Sequence, residues 1–382
     1  MATISANTTS SISITTYLIR SMNVFIEVYT IKHPHVGVGE FCLNLGRHLA
    51  SRAPELRRLY GIELYFIVPR GQKGVFGNEV HYVSFPFNIK WLSLFYPRSG
   101  ALLHLTHQYC KYTSFPRISK KLLTIHDINF IYEKHGQKLQ KYTTRFEHLL
   151  QGCQYANYIS HFTKSDVESH FKLHIPTKVI YNGVSKLDKD SQVSTVFMAR
   201  VPSSPYLFHI SSLAPKKNVQ LLIDMMQYLP NQHLVIAGNW KSNYGQQMMK
   251  GIQEKGLTNI TCLNNVSTAE KAWLYQHCKA FLFPSACEGF GLPPIEAMYF
   301  GKPVFLSTLT SLPEIGGPQS FYWEQLAPAQ MADTLTQKLD QVALHPECHE
   351  VIKASAERFD WVKCTDEYIN YYLEILQLPR QH

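Results

Sequence analysis

The sequence predicts an α/β protein of two domains, each a parallel β-sheet with crossover helices. Three observations carry this. Strand-like apolar runs alternate with helical patterns in two successive series, the mark of βαβ units. A polar stretch at 185–195, Ser-Lys-Leu-Asp-Lys-Asp-Ser-Gln-Val-Ser-Thr, lacks apolar periodicity and separates the two series. The chain has 382 residues, 45% hydrophobic and 13% aromatic, which is enough for two buried cores and too apolar for a disordered protein.

The elements follow in order. Residues 1–21 are rich in Ser and Thr and read as a disordered leader, without the basic start, apolar core and small-residue cleavage site of a secretory signal. From Met22 the run Asn23-Val24-Phe25-Ile26-Glu27-Val28 is a first buried strand over 22–29, followed by a His/Gly loop at 33–39 and a helix over 38–52. Strands are expected at 62–68, 80–84, 101–105, 121–125, 156–160 and 178–181, with helices at 137–153 and 163–172. The second series restarts at Tyr206-Leu207-Phe208-His209-Ile210. Its strands fall at 233–237, 259–263, 279–283 and 303–306, and its helices at 217–228, 244–254, 268–276 and 294–300, the last stopped by Gly301. Further helices occupy 328–343 and 348–357. The segment from Thr365 to Gln377 places Tyr368, Ile369, Tyr372, Leu373 and Leu376 on one helical stripe, which needs a partner surface.

Composition excludes several classes. No window has the ~18–20 consecutive apolar residues of a membrane-spanning helix. The eight cysteines form no C-x-x-C pair, so zinc-ribbon, iron–sulfur and thioredoxin readings fall away, and their scatter suits a reduced cytoplasmic protein. Lys plus Arg number 37 against 28 Asp plus Glu, a net charge of +9. That balance admits nucleic acid, an anionic membrane surface or a phosphate-bearing substrate. No helix-turn-helix, zinc finger or RNP-like run supports nucleic acid.

The most informative stretch is Pro284-Ser285-Ala286-Cys287-Glu288-Gly289-Phe290-Gly291-Leu292-Pro293-Pro294-Ile295-Glu296-Ala297-Met298-Tyr299-Phe300-Gly301. It follows an apolar strand, where ligands bind in open α/β sheets. Gly289 and Gly291 allow a ligand close to the backbone, and Pro293-Pro294 suit the first turn of a helix, which places Glu296 there. Glu288 and Glu296 thus flank one Gly-rich turn, and a carboxylate accepts two hydrogen bonds from a vicinal diol, which suits polyhydroxylated ligands. Lys216-Lys217 follow Pro215 at an expected helix start, where backbone N–H groups favour an anion. Gly37-Val38-Gly39 follow the first strand, but the third glycine of a dinucleotide fingerprint is missing, which argues against a dehydrogenase. His126-Asp127 end the strand Leu122-Leu123-Thr124-Ile125, so that His126 can donate to a hydroxyl or a transferring oxygen. No cluster has metal-ligand spacing, and no metal is expected.

Glu-x7-Glu within Pro-Ser-x-x-Glu-Gly-Phe-Gly-Leu-Pro-x-x-Glu-Ala-Met-x-x-Gly-x-Pro-Val resembles the signature of the retaining glycosyltransferases of family 4 (glycosyl transferases group 1). The resemblance runs from Met22 nearly to the end. It includes Gly37-Val38-Gly39, His126-Asp127, Ser160-His161-Phe162-Thr163-Lys164, Val179-Ile180-Tyr181-Asn182-Gly183-Val184, Pro215-Lys216-Lys217-Asn218, Ser311-Leu312-Pro313-Glu314 and Arg358-Phe359-Asp360-Trp361. It implies the GT-B fold, two Rossmann-like domains facing across a cleft: an acceptor-side domain over 22–190, completed by 362–382 as the last helix crosses back, and a donor domain over 200–357.

The resemblance also implies roles. Glu296 is similar to the carboxylate that holds the donor ribose and Glu288 to the one beside the transferred sugar. The backbone of Gly289, Phe290, Gly291 and Leu292 would hold hydroxyls and phosphate. Lys217 resembles the lysine on the donor diphosphate. Relatives carry a second basic residue where this chain has Ser211-Ser212, so either Lys216 supplies that charge or the diphosphate is held less tightly. Gly37 would face the phosphate from the other domain. His126 would be catalytic with Lys217 and Glu288, and Asp127 would support it or touch the acceptor. His33, His35, His104 and His107 are acceptor-side candidates, His35 first among them. The implied activity moves a hexose such as mannose from a nucleoside diphosphate sugar to a glycan or lipid-linked glycan in cell-surface polysaccharide synthesis, retaining configuration without a metal or cofactor. Two basic groups, Arg47/Arg52/Arg57/Arg58 and Lys111/Arg117/Lys120/Lys121 (near Tyr112 and Phe115), are expected to touch anionic headgroups or a lipid-diphosphate acceptor, with peripheral contact at the inner membrane face. The alternative is a non-catalytic or regulatory nucleotide-sugar binding protein on the same fold.

Overall fold

A computed structural model describes residues 22–33, 37–84, 100–113, 118 and 120–379. The leader, His35, Phe115 and Arg117 lie outside the described residues. Two parallel sheets organise the chain. The first holds β1 (Met22–Glu27), β2 (Ile62–Ile67), β3 (His81–Val83), β4 (Gly100–Leu105), β5 (Lys121–Ile125), β6 (Tyr155–Tyr158) and β7 (Thr177–Val179). The second holds β8 (Tyr206–Ile210), β9 (Leu234–Ala237), β10 (Ile260–Leu263), β11 (Cys278–Phe283), β12 (Val304–Ser307) and β13 (Phe321–Trp323). The orders are β3-β2-β1-β4-β5-β6-β7 and β10-β9-β8-β11-β12-β13.

Strands such as Met-Asn-Val-Phe-Ile-Glu and Cys-Lys-Ala-Phe-Leu-Phe are apolar on both faces because helices cover both faces of a parallel sheet. In the first domain Val24, Ile26, Leu64 and Phe66 pack on one side, and Phe25, Ile67, Leu103 and Leu123 on the other. In each sheet the chain order reverses once, between β1 and β4 and between β8 and β11, and such switch points open a crevice at the carboxyl ends of the strands. The loops after β1, β8 and β11 are those that carry Gly37, Lys217 and Glu288.

Several helices start on caps legible in the sequence. The Ser160 and Ser242 hydroxyls accept from Thr163 N and Gly245 N, and Ser267 forms a capping box with Glu270. Asp360 caps the last helix, Trp361–Leu376, by accepting from Val362 N. That helix crosses back, as the resemblance implied, and lies in the first domain's core with the helix Gly37–Ser51. Polar bonds fix its register. Asn157 Nδ2 donates to Tyr368 Oη at 2.9 Å, and His104 Nδ1 meets the Tyr372 hydroxyl at 2.6 Å. Tyr371 Oη donates to Pro176 O at 3.1 Å. The two crossings between domains run side by side, with Val184 N donating to Phe359 O at 2.8 Å.

Two elements add to the sequence reading, and one local expectation is corrected. Ala53–Tyr60 forms its own helix, with Pro54 in its first turn. Phe321–Trp323 is an edge strand that sequence reading passed over. Lys217 does not start a helix: Pro215–Lys217 is a 3-10 turn, and Asn218, at φ 52°, separates it from the helix Val219–Met225. The left-handed residue breaks the helical path, so Lys217 stands on a turn aimed at the next loop.

Candidate active site

The crevices of the two sheets face each other across a cavity of about 360 Å³. From the first domain Gly37, Val38, Glu40, His126 and Asp127 line it. From the second come Lys217, Lys271, Glu288, the turn Gly289–Leu292 and Glu296. The residues predicted from the Gly-rich turn are therefore gathered in one place, with Gly37 and His126 opposite.

Lys217 is held by stitching two loops together. Ala286 N donates to Lys216 O at 2.7 Å, and Asn218 Nδ2 donates to Pro284 O at 3.0 Å. This brings Lys217 Nζ onto Glu288 Oε1 in an ion pair whose side chains are only 14% and 13% exposed. The Glu288 loop is itself fixed. Glu288 N donates to Thr310 Oγ1 at 3.1 Å, and Ser311 Oγ donates to Phe290 O at 2.7 Å. Gly291, at φ 115°, turns the chain into the helix Leu292–Tyr299, a backbone state that favours glycine. Glu296 is the fifth residue of that helix, in its second turn rather than its first.

Glu296 is buried, and both its oxygens are engaged. Lys271 Nζ donates to Oε1 at 2.6 Å and Tyr275 Oη to Oε2 at 2.9 Å. Lys271 and Tyr275 project from one face of the helix Thr268–His277 at i, i+4 spacing. Burial acts to lower the Lys271 pKa, but the charge and hydrogen bond of Glu296 outweigh it and raise it, with Glu40 across the cleft adding to the pull. Lys271, Tyr275 and Glu40 were not found from the sequence. The i, i+4 pair was visible there, but its target lies two elements away.

His126 is buried, and its Nε2 meets Thr106 O at 3.0 Å. A carbonyl only accepts, so Nε2 carries the proton and Nδ1 is left as an acceptor. Burial pushes the imidazole down to about 4, which keeps it neutral. In this state Nδ1 is available to accept a hydrogen bond. Asp127 accepts from Asn129 N at 3.0 Å, and burial raises its pKa.

The remaining candidates separate. Lys216 Nζ reaches across to Glu133 Oε1 at 2.8 Å and does not line the cavity; Lys271 is the cavity's other lysine. His104 is fully buried between Tyr372 and Thr124 Oγ1, the latter at 2.8 Å, so it anchors the last helix and does not line the cavity. His33 is exposed and does not line the cavity. His107 forms a buried trio with Glu27 and Cys110 whose ligand atoms lie within 4.8 Å of one another. Burial raises the Glu27 and Cys110 pKa values and pushes His107 down to about 3, so the trio favours uncharged groups.

The domains are clasped around this cavity. Ser160 Oγ and Thr163 Oγ1 donate to Gly289 O at 2.9 and 3.2 Å. The Glu314 carboxylate accepts from His161 N and Phe162 N at 2.7 and 2.9 Å, taking the anion's place at the start of the helix His161–His170.

Comparison with known proteins agrees with this architecture. Residues 198–358 match the family described as glycosyl transferases group 1. The chain is 24% identical over 388 residues to the O-antigen chain mannosyltransferase B of Escherichia coli, covering 92% of this chain and 99% of that one. Among solved structures it is similar to a sucrose-phosphate synthase from Thermosynechococcus elongatus, with a TM-score of 0.72 and 16% identity over 94% of this chain and 100% of that one. It is also similar to Anabaena HepE, determined in complex with UDP-glucose, with a TM-score of 0.69 and 17% identity over 92% of this chain and 99% of that one. These structures share the GT-B fold.

Proposed function

We propose that the chain, whose residues 198–358 match the glycosyl transferases group 1, is a retaining, metal-independent hexosyltransferase acting in cell-surface polysaccharide synthesis. The donor is a nucleoside diphosphate sugar, with mannosyl donors first on the strength of the Escherichia coli relative's name. The acceptor is a glycan or lipid-linked glycan, reached in the cytoplasm with peripheral contact at the inner membrane face. No cofactor beyond the donor is needed. The observation that carries this reading is the interdomain cavity where Lys217, Glu288 and Glu296 face Gly37 and His126.

Each residue then has a task. Glu296, preset by Lys271 and Tyr275, keeps lone pairs for the two ribose hydroxyls. Lys217 leaves Glu288 for the diphosphate and stabilises charge as the anomeric C–O bond breaks, while the amides of the Gly289–Leu292 turn add donors. Glu288, relieved of its lysine, accepts from hydroxyls of the transferred sugar. His126 Nδ1 accepts from another, and Asp127 lies beside it on the acceptor side. The departing diphosphate oxygen takes the proton of the attacking acceptor hydroxyl, so no protein nucleophile is assigned. Closure around the Gly289 contact excludes water from the sugar.

Proton NMR of the newly formed linkage, made with a mannosyl donor and an oligosaccharide acceptor, tests the stereochemistry. The product should keep the donor's anomeric configuration, and an inverted product refutes retention. EDTA should leave the rate unchanged. Loss of activity restored by Mg²⁺ or Mn²⁺ refutes metal independence.

A further inference from the structure

A second concavity, of about 330 Å³, lies in the first domain between the helix Gly136–Gln151 and the chain around β4 and β5. Its wall carries Lys111 from beyond β4, Lys121 from the start of β5, and Arg145 and His148 at i, i+3 on the helix. Among the described residues no Asp or Glu lines it. Among the described residues none of these four forms an ion pair with a carboxylate, although Lys178, Lys216, Lys217, Lys255 and Lys271 all do. Lys111 instead donates to Tyr29 Oη at 3.3 Å and rides over the Tyr29 ring at 4.5 Å from its centroid. The fold therefore brings Lys111, Lys121, Arg145 and His148 to the wall of one hollow, with no acidic residue among its described lining residues. Like charges so arranged repel one another, and an anion relieves that.

The hollow is tied to the transfer site through one side chain. Gln108 lines it and donates Nε2 to Asp127 O at 2.9 Å, while its Oε1 accepts from His126 N at 3.2 Å. The strand end that enters the interdomain cavity is thus bonded directly to the wall of the basic hollow.

We propose that this hollow binds the phosphate or diphosphate group of a ligand. Arg145 supplies a planar fork suited to tetrahedral oxygens, and Lys111 and Lys121 supply point charges. Its use in catalysis, holding a phosphate-bearing acceptor while the acceptor's hydroxyl reaches past Gln108 toward His126, rests on the transferase reading. The binding itself does not.

Calorimetric titration of the full chain with pyrophosphate tests this, because pyrophosphate reports on both cavities. Wild type should show two sites. Lys217→Ala should keep the site in the hollow. Lys121→Gln with Arg145→Gln should keep only the donor site, and adding Lys217→Ala to that pair should abolish binding. Arg145 is exposed and Lys121 half-buried, and far-UV circular dichroism verifies folding. The hollow's affinity should fall at least ~10-fold in the double variant, and pyrophosphate binding equal to wild type in that variant overturns the proposal. A second arm measures sedimentation with phosphatidylcholine vesicles with and without phosphatidylglycerol. If the double variant loses pyrophosphate and still binds anionic vesicles as wild type does, the hollow serves a phosphate-bearing substrate. If both are lost, it serves a lipid phosphate. If vesicle binding alone is lost, the group is a diffuse surface patch and the proposal fails. Should Lys217→Ala leave two sites, the donor assignment fails and the hollow stands.

Discussion

Gly289→Ala is the most telling single change, because the structure fixes what it must do. A Cβ at Gly289 would stand 2.1 Å from His126 O and 3.3 Å from Asp127 Cβ, both on the opposite domain. The nearest atom is backbone at the end of β5, so no side chain can swing aside. Gly289 is not among the glycines at positive φ, so the predicted effect is the steric one. The domains must therefore part by about 1 Å at this point, and a misplacement of that size costs on the order of 10² in rate. The same parting stretches the Ser160 and Thr163 bonds to Gly289 O, now 2.9 and 3.2 Å. The displacement is absorbed at the domain contact rather than in a core, so melting should fall by only a few degrees, about 1 kcal/mol. Steady-state donor turnover beside thermal unfolding is the assay. A variant whose kcat stays within about twofold of wild type shows that the closed contact is not the working geometry.

Lys217→Ala should lower kcat by on the order of 10² to 10³, and because it strands the largely buried Glu288 carboxylate it should also cost ~1–3 kcal/mol of stability; a folded variant with near-normal turnover refutes the role. Lys271→Met should leave Glu296 with Tyr275 alone and raise the donor KM more than it lowers kcat, which donor titrations would read; an unchanged KM means Lys271 does not preset the ribose carboxylate. Acid should unfold the protein early. Burial pushes His104 and His107 down to about 3 and His126 and His209 to about 4. The unfolded chain takes up these protons near pH ~6.5 while the folded chain refuses them, so stability falls as pH drops from about 6.5 toward 4, by up to ~1.4 kcal/mol per unit for each histidine. A flat denaturant midpoint across that window contradicts the buried neutral state.

Much of this was legible because parallel sheets impose it. Strands covered on both faces read as unbroken apolar runs, and the stripe through Tyr368, Tyr372 and Leu376 demanded a partner surface, which the first sheet supplies. The turn from Glu288 to Glu296 was legible because glycines, prolines and carboxylates coincide there. What escaped depends on tertiary approach. Phe321–Trp323 is too short to show a period and is a strand only because Phe305, Leu306 and Ser307 lie beside it. Lys216 and Lys217 are adjacent in sequence, yet the 3-10 turn sends one to Glu133 on the far domain and the other to Glu288. His104 and His126 look alike as strand-end histidines; only packing shows that one anchors a helix while the other lines the cavity.

The proposed activity is sugar transfer from a nucleoside diphosphate donor held between the two sheets. Release of nucleoside diphosphate from a panel of such sugars, mannosyl donors first, measured for wild type and Lys217→Ala with an oligosaccharide acceptor present, tests it most directly. Acceptor-dependent release from at least one donor, lost in the variant, is the predicted result. A folded wild-type protein that binds a donor tightly and releases nothing from any of them contradicts it.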